Sequence, residues 1–99
     1  GTVGRIERTP RGGLVVWVRS TDGRLWHYYA HLDRVASGRR TGQRVATGTM
    51  LGTVGSTGNA DPRAPHLHWQ VLWATGRGRE GIPINPRPFL RARGEVHAR

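Results

Sequence analysis

Short apolar runs, broken at brief intervals by Gly, Pro and Asp, pattern the whole chain. Leu14-Val-Val-Trp-Val-Arg-Ser20 is rich in β-branched and aromatic residues and predicts a buried strand. Thr21-Asp-Gly-Arg24 predicts a turn, Asp-Gly being a favoured hairpin pair. Leu25 to His31 then reads as the return strand, which makes 14–31 the clearest hairpin in the sequence. Thr2 to Glu7 predicts a short strand, followed by a loop from Arg8 to Gly13 with Pro10 and two glycines as breakers. Leu32 to Arg40 reads as a connector with room for one helical turn. Gly42, Gly48, Gly52, Gly55 and Gly58 punctuate short strands carrying Val45, Met50, Leu51 and Val54. His66 to Ala74 predicts the last strong strand, before a turn over Gly76 to Gly81 and a Pro-rich segment over Ile82 to Leu90. No long amphipathic helix is legible. The pattern suggests short strands joined by tight loops and not a helical bundle.

Composition narrows this picture. The chain has 99 residues, enough for one domain, and 15 glycines with 6 prolines suit tight turns between strands. It has no cysteine, which excludes a disulfide framework and any thiolate metal site. No apolar run is long enough to cross a bilayer as a helix. The net charge is +10, and all 16 basic residues are arginine. Such a charge suits a polyanionic partner such as nucleic acid, anionic lipid or an acidic wall polymer. The arginines are scattered from Arg5 to Arg99 without a clustered patch or nucleic-acid-binding motif, so a solvated surface is the simpler reading and no specific nucleic-acid partner is expected.

The chemistry resides in histidines. His66 and His68 stand two apart in an apolar segment, and side chains alternate faces along a strand, so both rings should share a face. By the same rule His27, Tyr29 and His31 should share one face, with Trp26, Tyr28 and Ala30 on the other. A neutral imidazole is both a common metal ligand and a general base near neutral pH. A His-x-His pair is therefore a candidate metal and base pair, though such pairs also occur in cores and on surfaces. His27 reads as a groove or surface residue, His97 as part of the tail, and the four tryptophans mainly as core.

Several motifs occur in a fixed order: Tyr29-Ala-His-Leu32, Gly42-Gln-Arg-Val45, Leu51-Gly-Thr-Val-Gly-Ser-Thr-Gly58, Pro65-His-Leu-His68, Ile84-Asn-Pro86 and Phe89-Leu90. Together they resemble the lysostaphin-type (LytM-like) zinc metallopeptidases, which cut peptide bonds of bacterial peptidoglycan, over about Thr2 to Leu90. The resemblance implies an all-β, antiparallel barrel or sandwich with a groove. It implies Zn²⁺ as cofactor with His68 as a metal ligand, His66 as general base or orienting group for the water, and His31 as acid, base or oxyanion stabiliser. It also implies a peptidoglycan peptide as partner, a monomer, and an extracellular or periplasmic setting.

Two family features are absent from these residues. The family's other two zinc ligands, a His and an Asp four residues later, fall before the position of Gly1. The expectation is thus a domain over 1–90 lacking its N-terminal segment, a charged tail over 91–99, and no activity from these residues alone. His27 and His31 have a ligand-like spacing without a carboxylate, Asp33 falls in the connector, and Asp61 lies in the loop before Pro65. Gln70 stands where the family usually has Glu, and the loop from Gly58 to Pro65 is longer than usual, without the customary glycine before Pro65. The competing expectation is a LytM-like wall-binding or regulatory module without catalysis.

Overall fold

The computed structural model describes residues 1–74, 81–84 and 95–97. They form an antiparallel seven-stranded sheet with no helix: β1 (Thr2–Thr9), β2 (Gly13–Arg19), β3 (Leu25–Val35), β4 (Met50–Val54), β5 (His68–Ala74), β6 (Gly81–Ile84) and β7 (Glu95–His97). The main path runs β1-β2-β3-β4-β7, while β5 pairs with β3 and β6. The expected hairpin is β2–β3. Its turn is tied by Asp22, whose carboxylate accepts from the Ser20 hydroxyl at 2.7 Å and the Arg24 N–H at 3.0 Å.

The connector expected after Leu32 is instead strand. β3 continues to Val35, and Leu32, Arg34 and Val35 pair with Val54, Thr53 and Gly52 of β4. Within the segment read as a tail, Glu95–His97 pair with β4. The residues Asn85, Pro86, Phe89 and Leu90 of the expected closing motifs lie outside the described residues.

One face of the sheet carries the core. The cross-strand row Ile6, Val16, Tyr29 and Trp69 lies on this face, and the cluster is completed by Val3, Leu14, Val18, Leu32, Val45 and Leu51. The opposite row, Arg5, Trp17, Tyr28 and Gln70, lines up on the other face. There Trp17 meets Trp26 edge-on at 6.1 Å and Tyr28 at 4.6 Å between ring centroids. Arg19 lies over Trp26 at 5.4 Å, adding a cation–π contact. The sheet therefore buries aliphatic side chains on one side and offers an aromatic floor on the other.

The turn between β1 and β2 and the loop after β4 approach closely, backbone against backbone, at two glycines. Gly13 (φ 67°) and Gly58 (φ 74°) face each other in the left-handed region. A Cβ on Gly58 would meet the Gly13 nitrogen and the Arg11 carbonyl oxygen. Only glycine avoids both the clash and the left-handed penalty.

Two outcomes follow from these turns. Gly58→Ala should destabilise the domain by about 2 kcal/mol or more, from strain at positive φ and the backbone clash together, read from urea denaturation. Asp22 is held below its ordinary carboxyl pKa of 3.8, first by the Arg24 N–H and then by the Ser20 hydroxyl. Its contribution is complete above pH 3.8 and fades as pH falls through the lowered folded value. The stability gap between wild type and Asp22→Ala should accordingly narrow in acid, and a gap that widened would contradict the assignment.

Candidate active site

β3 changes partner in mid-strand. Leu25 to Ala30 pair with β5, ending at Ala30 opposite His68, whereas Leu32 pairs with Val54 of β4. His31 falls at this fork. Against β2 the register shifts between Leu14 and Val16, which face Leu32 and Tyr29, so β3 holds one extra residue there. This is a β-bulge, and His31 occupies it with φ 60°. For a residue with a Cβ that conformation costs about 1–3 kcal/mol, and the surrounding structure must hold it in place.

The bulge redirects the His31 side chain. Simple alternation would leave His31 beside His27 and Tyr29. Those two do share the core face, stacked at 6.2 Å between centroids. His27 also stacks on Trp69 at 6.0 Å, accepts the Trp69 indole N–H on Nδ1 at 3.3 Å, and is only 3% exposed. It is a packed core residue. His31 turns instead to the face of Tyr28 and Ala30, where its ring lies 5.2 Å from His66 and 5.8 Å from His68. Tyr28, not Tyr29, is the phenol beside them, edge-on to His68 at 5.7 Å. The structure thus brings together His31, His66 and His68. His66 sits in the loop just before β5, its N–H bonded to the Gly55 carbonyl at 3.1 Å.

Two of these rings have a fixed tautomer. His31 Nδ1 is 2.7 Å from the Thr57 carbonyl, and His66 Nδ1 is 3.0 Å from the Ala64 carbonyl. A carbonyl oxygen can only accept, so each Nδ1 carries the proton. Each Nε2 then presents a lone pair when the ring is neutral, and neither has a hydrogen-bond partner among the described residues. His68 makes ring contacts but no hydrogen bond among the described residues. His31 is buried, whereas His66 and His68 are exposed.

Thr57 organises the fork. Its hydroxyl accepts from the Leu14 N–H at 3.0 Å and donates to the Leu32 carbonyl at 2.8 Å, while its own carbonyl receives His31. One residue therefore joins β2 and β3 across the bulge and sets the ring that the bulge projects. The His31 N–H bonds to the Gly12 carbonyl at 2.7 Å, and the Asn59 N–H to the Arg11 carbonyl at 2.9 Å. These bonds close the β1–β2 turn over the same place. Sequence reasoning missed Thr57, Tyr28 and Arg11. The glycine-flanked Gly55-Ser-Thr-Gly58 was the available signal for the first.

A groove of about 480 Å³ opens on this face. Trp17, Tyr28 and Gln70 form its floor, with His31 and His68 at one side and Arg11 and Asn59 at the rim. Burial, and secondarily the Glu7 carboxylate, raise the Tyr28 phenol above its ordinary value of 10.0, so it is a neutral hydrogen-bond donor at neutral pH. Asp33 and Asp61 do not line the groove; they pair with Arg34 at 3.6 Å and Arg63 at 3.2 Å. Catalytic zinc takes three protein ligands and leaves one position open. Among the described residues no group of three His, Cys, Asp or Glu side chains is arranged to hold a metal ion. The imidazoles suit zinc as donors, yet the described residues do not complete a site for it.

Comparison with known proteins bears on the family and the fold. The family model described as Peptidase family M23 matches residues 1–86. The chain is 37% identical over 86 residues to an L-Ala–D-Glu endopeptidase of Bacillus subtilis, covering 82% of this chain and 26% of that protein. It is 34% identical over 83 residues to the glycyl-glycine endopeptidase ALE-1 of Staphylococcus capitis, covering 84% of this chain and 21% of that protein. The chain thus spans about a quarter or less of these curated relatives. The solved structure of LytU superposes with a TM-score of 0.75 at 31% identity, covering 90% of this chain and 58% of that one.

The role of Thr57 is open to test. Thr57→Val keeps the shape but leaves the Leu14 N–H and Leu32 carbonyl without the hydroxyl, which should destabilise the fold by about 2 kcal/mol or more. Thr57→Ser should recover most of that loss in the same denaturant titration. Equal stability of the Val and Ser variants would show that the hydroxyl does not tie the fork.

Proposed function

The chain belongs to peptidase family M23, and from that premise we propose that it is the groove-bearing part of an endopeptidase that hydrolyses peptides of bacterial peptidoglycan. The observation that carries this reading is the meeting of the His66 and His68 rings with that of His31, with His31 and His68 lining the groove and the His31 and His66 Nε2 lone pairs set by carbonyls behind them. The names of the relatives, an L-Ala–D-Glu and a glycyl-glycine endopeptidase, support a peptide bond as the target. A setting in the bacterial envelope, outside the cytoplasmic membrane, follows from the same substrate.

The residues can be given roles by their chemistry. A neutral His66, with Nδ1–H held by Ala64, can accept a proton from water at Nε2. His31 is more deeply buried and anchored, so in its protonated form it can donate from Nε2 to a developing oxyanion or a leaving amine. His68 has both ring nitrogens free of protein hydrogen bonds among the described residues and is proposed as a metal ligand. Zn²⁺ is proposed as cofactor, its remaining ligands coming from residues other than those described. Residues 1–90 are proposed as one part of that catalytic domain, and the domain as a monomer.

A second reading has one observation in its favour: the described residues complete no metal site. It makes the domain a peptidoglycan-binding or regulatory module without catalysis. The protein that carries this chain separates the two when incubated with purified peptidoglycan. Hydrolysis should release new amino groups, and metal analysis should find one zinc. His68→Ala should lose metal and activity together. His66→Ala and His31→Ala should keep metal while losing about 10²–10⁴ in rate, the usual range for acid–base groups. Retention on the wall with no new amino groups and no zinc would decide for the module.

A further inference from the structure

Arg11 is placed differently from the other arginines. It lies at the rim of the groove, and its backbone is fixed by the Asn59 N–H at 2.9 Å. The next residue, Gly12, receives the His31 N–H at 2.7 Å. The cation is therefore tethered one residue from the backbone that holds the proposed catalytic ring. Among the described residues, three arginines have carboxylate partners, Arg5 with Glu7, Arg34 with Asp33 and Arg63 with Asp61. Arg11 has none among the described residues, and none of the described groove-lining residues is a carboxylate.

Apart from the histidines, the rest of the described lining carries no formal charge. Gln70 and Asn59 offer amide donors and acceptors, and Tyr28 offers a phenol that stays protonated. Trp17 supplies an apolar floor. A peptide without charge would find amide partners here and leave the guanidinium to water. A peptide bearing one carboxylate beside the scissile bond would match the whole surface, since guanidinium and carboxylate pair through two parallel N–H···O bonds.

We propose that Arg11 is a carboxylate-binding subsite of the groove, which selects peptides carrying an acidic residue next to the bond to be cut. This rests on the endopeptidase reading and names its substrate class. Arg11 acts in binding and positioning, not in the bond-breaking step. An exposed pair of this kind contributes modestly, so about a fivefold preference is expected at low salt, falling as salt screens it.

The test uses two N-acetylated, C-amidated peptides that differ only in L-Ala–D-Glu against L-Ala–D-Gln. Each is titrated into the protein and followed by NMR shifts of the His31, His68 and Trp17 signals. Wild type should bind the acidic peptide about fivefold more tightly. Arg11→Gln should bind both peptides as wild type binds the neutral one. Arg8→Gln, which removes the same charge from exposed β1, should keep the preference. A preference that survives Arg11→Gln, or disappears equally in Arg8→Gln, overturns the subsite. Equal binding of both peptides by wild type overturns the subsite and leaves the endopeptidase reading standing. Binding of neither peptide by the folded protein overturns both.

Discussion

The architecture turns on one residue held against its own backbone preference. His31 sits at positive φ where β3 leaves β5 and joins β4. A strand cannot pair with two partners on one edge at the same height, so the fork needs a residue that pairs with neither. An extra residue in β3 supplies it, and the bulge turns the imidazole from the core into the groove. The strain has to be offset locally. Thr57 does this with three hydrogen bonds to β2, β3 and the ring itself, and the glycine contact of Gly13 with Gly58 allows the loop to come that close. Remove the tie and the fork has nothing to keep β4 and β5 apart at the right place. The loop that spans this gap also carries His66, so the same constraint that builds the fork brings the second imidazole to the first.

The readable and unreadable parts of the fold divide along the same line. Hairpin β2–β3 was legible because Leu14 to Ser20 and Leu25 to His31 are apolar and β-branched around an Asp-Gly turn, all local signals. The expectation that His66 and His68 share a face rested on strand alternation, which does not govern His66, since that residue precedes the strand. The face of His31 was not legible. Period-two alternation assumes an unbroken pleat, and a bulge arises from pairing with β2 and from the switch of partner, neither of which a single strand records. The same slip exchanged Tyr29 for Tyr28 as the groove phenol and made Leu32 to Val35 look like a connector. Thr57 escaped notice because its worth lies in contacts 43 and 25 residues away in sequence. The family order of motifs was legible throughout, because it depends on residue identity and spacing and not on which way a ring points.

His27 shows why a histidine count is a poor guide to a site. It lies four residues before His31, on the same strand. Yet it stacks against both Tyr29 and Trp69, accepts an indole N–H, and is all but excluded from solvent. Without the bulge, His31 would have followed it into that environment. A single inserted residue therefore separates a core histidine from one that faces a groove. This gives the strained backbone at residue 31 a function: it is the cheapest way to give two histidines of one strand opposite fates.

The three clustered histidines also differ in the hydrogen bonds behind their rings. An imidazole with Nδ1–H bonded to a carbonyl has its ring orientation and tautomer chosen in advance, and it meets a proton or a donor only through Nε2. His31 and His66 are in that state, one buried behind Thr57 and the other exposed behind Ala64. A ring meant to bind a metal needs one nitrogen uncommitted, and His68 has both uncommitted among the described residues. The anchoring of His31 and His66, which His68 lacks among the described residues, is what distinguishes the rings. It also explains why substituting one histidine position for another would not conserve function: the carbonyls of Thr57 and Ala64 cannot move with the side chain.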